Sequence, residues 1–170
     1  MSPTPPPPES RTPDFLLVRA ELTRLIADGF ADALADFGLD PPDDLQITDQ
    51  RKELPQNTGN SLVIRDTTTD RGEQSPARVR AVFNHVVVAT CFAPTEQEAQ
   101  DLGKTWIAAI CTLLRANMGN AGYWETLTIA SDPPHASWED SSVSAWAHQV
   151  QLPVACHLMV HRAGSRYPDV

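Results

Sequence analysis

Residues 86–114 read VVVATCFAPTEQEAQDLGKTWIAAICTLL, and the change of period inside this stretch decides the fold class. Arg78 to Phe92 alternates strictly. Val79, Ala81, Phe83, His85, Val87, Ala89 and Cys91 fall on one face, and Val82, Val86, Val88 and Phe92 on the other. Period two predicts a strand, and apolar residues on both faces predict a central strand covered on both sides. Thr95 with Glu98 then forms a capping box, and Glu96 adds negative charge at the positive end of the helix dipole. Ala99, Leu102, Trp106, Ile107, Ile110, Leu113, Leu114 and Met118 recur at helical spacing, so the helix is predicted to run to about Met118.

Upstream lies a second amphipathic helix. Thr12 and Pro13 read as N-cap and first helical residue. Phe15, Val18, Leu22, Leu25, Ile26, Phe30, Leu34 and Phe37 follow at three-and-four spacing. Gly29 weakens the middle of this helix by roughly 1 kcal/mol relative to Ala. Gly38 suits the position after the helix end, and Pro41 and Pro42 stop continuation. Leu45 to Thr48 and Ser61 to Thr67 read as strands, with RKELPQNTGN (51–60) a loop between them. DRGEQSPA (70–77) reads as a turn or loop.

Beyond the second helix, Trp124 to Ala130 reads as a strand and SDPPHASWEDSS (131–142) as a loop. The last strand is long. Trp146, His148, Val150, Leu152, Val154, Cys156, Leu158 and Val160 alternate with Ala147, Gln149, Gln151 and Ala155. Pro153 lacks a backbone donor and implies an edge position or a bulge. Fifteen or so residues span about 50 Å, more than a small domain's diameter, so one end is expected to project towards a neighbouring subunit. The sequence thus predicts an α+β fold: a mixed or antiparallel sheet packed by two amphipathic helices. Residues 1 to 12 are a Pro-rich extended arm, 13 to 162 a single α/β domain, and 163 to 170 a C-terminal tail.

A chain of 170 residues suits one domain with a real core. It has no apolar run of the roughly 18–20 residues a membrane helix needs, and its start lacks the layout of a secretory signal, so synthesis in the cytosol and no membrane partner are expected. Cys91, Cys111 and Cys156 lie far apart in apolar stretches and read as small buried hydrophobes. The net charge of −9 repels phosphate backbones, which argues against sequence-wide DNA affinity.

Catalytic patterns are lacking. No HExxH, GxSxG, GxxxxGK[ST] or GxGxxG occurs. His157 and His161 share a strand face but stand roughly 13 Å apart, too far to share one ion, and His148 and His157 take opposite faces. Cys156 and His157, as strand neighbours, point apart and should not form a thiolate pair. Asp43 with Asp44, and Glu139 with Asp140, lie in polar stretches where solvated carboxylates are the default. No catalytic residue, cofactor or metal site is expected. Trp138, alone in an acidic stretch, reads either as folded back on its own domain or as an interface anchor.

The order of these elements, with VVVATCFAPTEQEAQDLGKTWIAAICTLL and the closing HQVQLPVACHLMVHR, resembles tail terminator (tail completion) proteins of long-tailed bacteriophages and related gene-transfer particles. The likeness covers residues 13 to 162 as a layout, with the Pro-rich arm outside it and Pro153 a departure from it. It implies a virion protein at the head–tail junction, a homo-oligomeric and by expectation hexameric ring. The ring would cap the tail tube and meet the tube protein on one face and a head-completion or connector protein on the other. DNA would be a passing, repelled neighbour. Asp70, Glu73, Trp138, Glu139 and Asp140 are then candidates for pore or interface loops, and Pro5, Pro6, Pro7 and Pro8 for an arm that clasps a neighbouring subunit. The competing readings are another ring-forming virion component (a head-completion stopper or a tail tube subunit), a small cytosolic binding module, and an enzyme.

Deleting residues 1 to 12 is expected to weaken assembly, measured by light scattering, while helix content by circular dichroism stays constant. Unchanged assembly in the truncated chain would exclude the clasp.

Overall fold

The computed structural model describes residues 15–49, 59–73 and 78–161. Helix α1 spans Phe15–Ala35, and strands β1 (Gln46–Asp49), β2 (Ser61–Glu73) and β3 (Arg78–Ala93) follow. Helix α2 covers Glu96–Arg115, before β4 (Thr126–Ile129), β5 (His135–Asp140) and β6 (Ala145–His161). The predicted Thr12–Pro13 start of α1, the Pro-rich arm with Pro5 to Pro8, and the C-terminal tail from 163 lie outside the described residues.

The described strands form one mixed sheet in the order β1-β2-β3-β6-β4, with β5 also paired to β6. Among the described strand pairs, only β1 and β2 run parallel. β3 and β4 are both antiparallel to β6, hence parallel to each other, and α2 makes the crossover between them. The predicted strand–helix unit is therefore the first part of a β–α–β crossover, with the last strand of the chain inserted between its two strands.

Both helices pack on the same face of the sheet. Val18, Leu22, Ile26, Phe30 and Leu34 of α1 join Trp106, Ile110 and Leu114 of α2 over Leu62, Ile64, Phe83, Val87, Leu152, Val154 and Cys156 in one core. Fully burying each large side chain contributes roughly 1.5–3 kcal/mol. Phe30 and Trp106 meet edge to face, centroids 5.5 Å apart at 76°, an aromatic geometry that adds about 1 kcal/mol. The expected cover on both faces of β3 is met only in part: the face of Val82, Val86, Val88 and Phe92 carries no described helix, and Val88 is buried there while the other three are half-buried. A sheet this small, with two helices, has helix surface enough for one side.

Local signals set the helix ends. Glu98 N–H donates to Thr95 Oγ1 at 3.2 Å, and Glu96 and Glu98 occupy the first turn of α2 with Arg115 in the last. The helix stops at Arg115, short of the predicted Met118, which is exposed. Gly38 takes φ +76°, with Gly38 N–H bonding to Ala35 O and Leu39 N–H to Leu34 O. That pair of bonds is a Schellman ending, and it turns Phe37 out of the predicted stripe to 45% exposure. Gly29 has a packing role as well as its propensity cost. A Cβ there would meet Leu113 Cδ1 at 2.6 Å, so the glycine lets α1 and α2 approach closely.

Three further expectations change. β2 extends to Glu73, so only 74–77 of the predicted loop lie beyond it, outside the described residues. Residues 135–140 form strand β5, where a loop was expected, because β6 is long enough to hold a second partner beside β4. Pro153 is neither at an edge nor at a bulge: it pairs with Val86 in an unbroken register. Its carbonyl accepts from Ala130 N–H just past β4, and Gln151 N–H donates to Pro134 O just before β5. The missing donor of Pro153 therefore faces the gap where β6 changes partner, where no ladder bond is required of it.

Gly103 of α2 lies against buried His148 of β6, and a Cβ there would collide with His148 Cδ2. Gly103→Ala raises helix propensity, yet it is expected to destabilise the chain by roughly 1–3 kcal/mol through overpacking. Denaturant unfolding measures this directly. A stabilised variant would show that α2 does not seat on β6 at this point.

Candidate functional site

Two features of the sheet stand apart from the core. The first is length. β3 pairs with β6 from Ala93↔Trp146 to Arg78↔His161, and β2 stays paired with β3 to Glu73↔Val79. The last described core residues along this ribbon are Ala81 and Leu158, and pairing continues past them by roughly 10 Å. The second is the face opposite the helices. Its middle rows are Val63–Val88–Gln151 and Arg65–Val86–Pro153, flanked by Thr90–Gln149 and Asn84–Ala155. Among the described side chains these rows hold Arg65 as their one charged group and no carboxylate, on a chain of net charge −9. At one end Phe92, Ala147 and Trp138 form a row in which Ala147 is fully buried and Trp138 is 39% exposed.

The predicted interface residues are strand residues, not loop residues. Asp70 and Glu73 belong to β2, at the rows of Val82 and Val79. Trp138, Glu139 and Asp140 belong to β5 and pair with Ala147, Trp146 and Ala145. The two groups are not brought together. On β6, Ala147 and His157, the row of Asp70, are separated by roughly 33 Å, so the groups mark opposite ends of the sheet. Trp138 is neither tucked into the core nor fully free. Beside it, the β5–β6 turn exposes Val143 at 51% and holds Ser144 at φ +51°.

A buried polar cluster escaped the sequence reading. Arg19 of α1 is 1% exposed and ion-pairs with Asp66 of β2, and its Nε lies 3.8 Å from Asp49 of β1. His85 of β3 is equally buried, with Nδ1 3.0 Å from Asp66 Oδ1. The cluster ties α1 to three adjacent strands. Its signal was present: Arg19 stands at helical spacing between Phe15, Val18 and Leu22, and a charge on an apolar stripe must find a buried partner. Burial, helped by the Arg19 guanidinium, pushes the His85 imidazole down to about 4.

The other titratable groups follow the predicted parity. Cys156 is buried under the helices while His157 lies on the open face, bridging Arg80 Nη2 at 3.0 Å and Thr128 Oγ1 at 2.9 Å. All three cysteines are buried and reduced, and burial pushes Cys91 and Cys156 up to about 12, which suppresses the thiolate. Among the described residues no group of three or more His, Cys, Asp or Glu is placed to hold a metal ion, and no helix is long and apolar enough to cross a membrane.

No protein-family model and no curated protein matches the chain. A solved structure titled "Virion of native gene transfer agent (GTA) particle" contains a chain similar to this one, with a TM-score of 0.41 and 14% sequence identity over 82% of this chain and 94% of that chain. Likeness at that level assigns neither a family nor a role.

The His85 environment has a pH consequence. A histidine whose folded-state pKa is below its unfolded value binds fewer protons when folded, so stability rises with pH across the window between them. The unfolding free energy is therefore expected to increase from pH 4 to about 6.5, and the His85 ring resonances to stay unchanged down to near pH 4. Titration of His85 above 6.5 would instead make Asp66 the dominant influence.

Proposed function

We propose that this chain is a structural subunit of a tailed virion or gene-transfer particle: a tail terminator that closes into a homo-oligomeric ring, caps the tail tube and meets the head connector. The observation that carries the reading is the ribbon of β2, β3 and β6, which keeps its pairing past the described core. Strand length beyond a domain's core offers edge and face to a neighbour, and proteins avoid leaving these bare. A neighbouring subunit in a ring supplies the cover, and rotational symmetry repeats the same contact until the ring closes.

Two further features support it. The sheet face away from the helices lacks carboxylates in its described middle rows, so copies of an acidic chain approach one another there without carboxylate repulsion. The layout of residues 13 to 162 also resembles that of tail terminator proteins, most clearly at residues 86–114 and 148–162. In this reading Trp138, with Glu139 and Asp140, faces one neighbour or ring surface, and Asp70 and Glu73 the other, because they stand at opposite ends of the sheet. The Pro5–Pro8 arm would clasp the adjacent subunit.

The test is mass against concentration by light scattering behind a sizing column, with negative-stain images of the peak. Closed rings near six subunits are expected, either alone or on addition of purified tail tube. Open-ended tubes would make the chain a tube subunit. A monomer at every concentration, unchanged by purified tube, would overturn the assembly reading.

A further inference from the structure

A cleft of about 360 Å³ opens between α2, β5 and the β4–β5 connection, at the lower end of the size of small-ligand sites. It is independent of the ribbon and the open face, since it lies on the helix side of the sheet. One wall is apolar, from Ile107, Pro133 and Val150, and the polar side chains converging on it are Gln100, Lys104 and His135 with His148 at the base. Asp132 stands on the rim as the one carboxylate among the lining residues.

His148 gives the cleft its chemistry. The residue is 2% exposed, its ring lines the cavity, and its Cδ2–Nε2 edge faces α2 at Gly103. Nδ1 is 2.7 Å from Ser137 Oγ, and Gln100 Nε2 donates to that same oxygen at 3.5 Å. Ser137 Oγ thus holds both Gln100 and the Nδ1 side of the His148 ring at the edge of the cleft. Nε2 has no hydrogen-bond partner among the described residues. The second imidazole, His135, stacks at a tilt with its centroid 5.4 Å from that of His148. The cleft therefore gathers two imidazoles, an amide and one ammonium beside an aliphatic wall, with Asp132 as the one carboxylate lining it.

We propose that this cleft binds a carboxylate group borne on a short aliphatic body. The carboxylate pairs with Lys104 beside the imidazoles of His135 and His148, and the body lies against Ile107 and Val150. A charge-assisted pair in a partly enclosed site is stronger than a neutral one, which selects the carboxylate over its amide. The group is carried either by a Glu or Asp side chain of a protein segment or by a free small acid.

Ligand-observed saturation-transfer NMR on the full chain, in whatever assembly it forms, tests this with three probes: isobutyrate, isobutyramide, and the capped tripeptide acetyl-Ala-Glu-Ala-amide. Isobutyrate or the tripeptide is expected to bind saturably, with isobutyramide at least tenfold weaker than isobutyrate. Lys104→Met and His135→Gln, both at exposed positions outside the core, should each weaken carboxylate binding roughly fivefold to tenfold, the loss of one charged or polar contact. Tighter binding of the tripeptide assigns the carboxylate to a protein segment, and tighter binding of isobutyrate to a free acid. Absence of saturable binding by both carboxylates, equal binding of the amide, or affinity unaffected by Lys104→Met would each overturn the proposal. None of these outcomes depends on whether the chain forms rings.

Discussion

The pairing of β3 with β6 is the constraint on which the rest of the structure depends. It runs without a break from Arg78↔His161 to Ala93↔Trp146 and joins a mid-chain strand to the last strand of the chain. Everything else hangs from it. β2 adds to the free edge of β3, β4 and β5 share the free edge of β6, and α2 bridges from β3 to β4 across the pair. Such a pairing is long in sequence separation, so its closure entropy is offset only when both helices seal its covered face. Trp106, Phe30, Leu22 and Ile110, none more than 1% exposed, provide that seal.

The same pairing leaves a second side of the sheet on which no described helix packs. The rows around Val88 and Val86 are apolar or neutral, whereas the rest of the chain carries a strong excess of acid. The buried Arg19–Asp66–His85 cluster locks α1 in register over three strands, since breaking one member leaves a charge buried without compensation.

Much of this architecture was legible in the chain. The two helices, the strand running into α2, the long last strand and the packing of all three cysteines followed from period, caps and apolar content. Four readings failed, wholly or in part, for tertiary reasons. β5 was invisible because HASWED has no apolar alternation, and it is a strand only because β6 offers it an edge. Pro153 read as a break because sequence cannot show that its missing donor faces a gap between two partners. Asp70 and Glu73 read as loop because DRGE is turn-like in composition, yet β3 holds it in the ladder. Cover on both faces of β3 was inferred from its own residues, although the number of helices available decides it.

Local sequence by itself determined where helices begin and end and which side of each strand is apolar, because caps, glycine at positive φ and side-chain period act within a few residues. Only the tertiary structure decided that both helices share one face, that Arg19 and His85 meet over Asp66, and that Ser137 orients His148 towards a cleft. Those outcomes join residues far apart in the chain. Their geometry is set by the register of β2, β3, β5 and β6 against one another, which no local signal encodes.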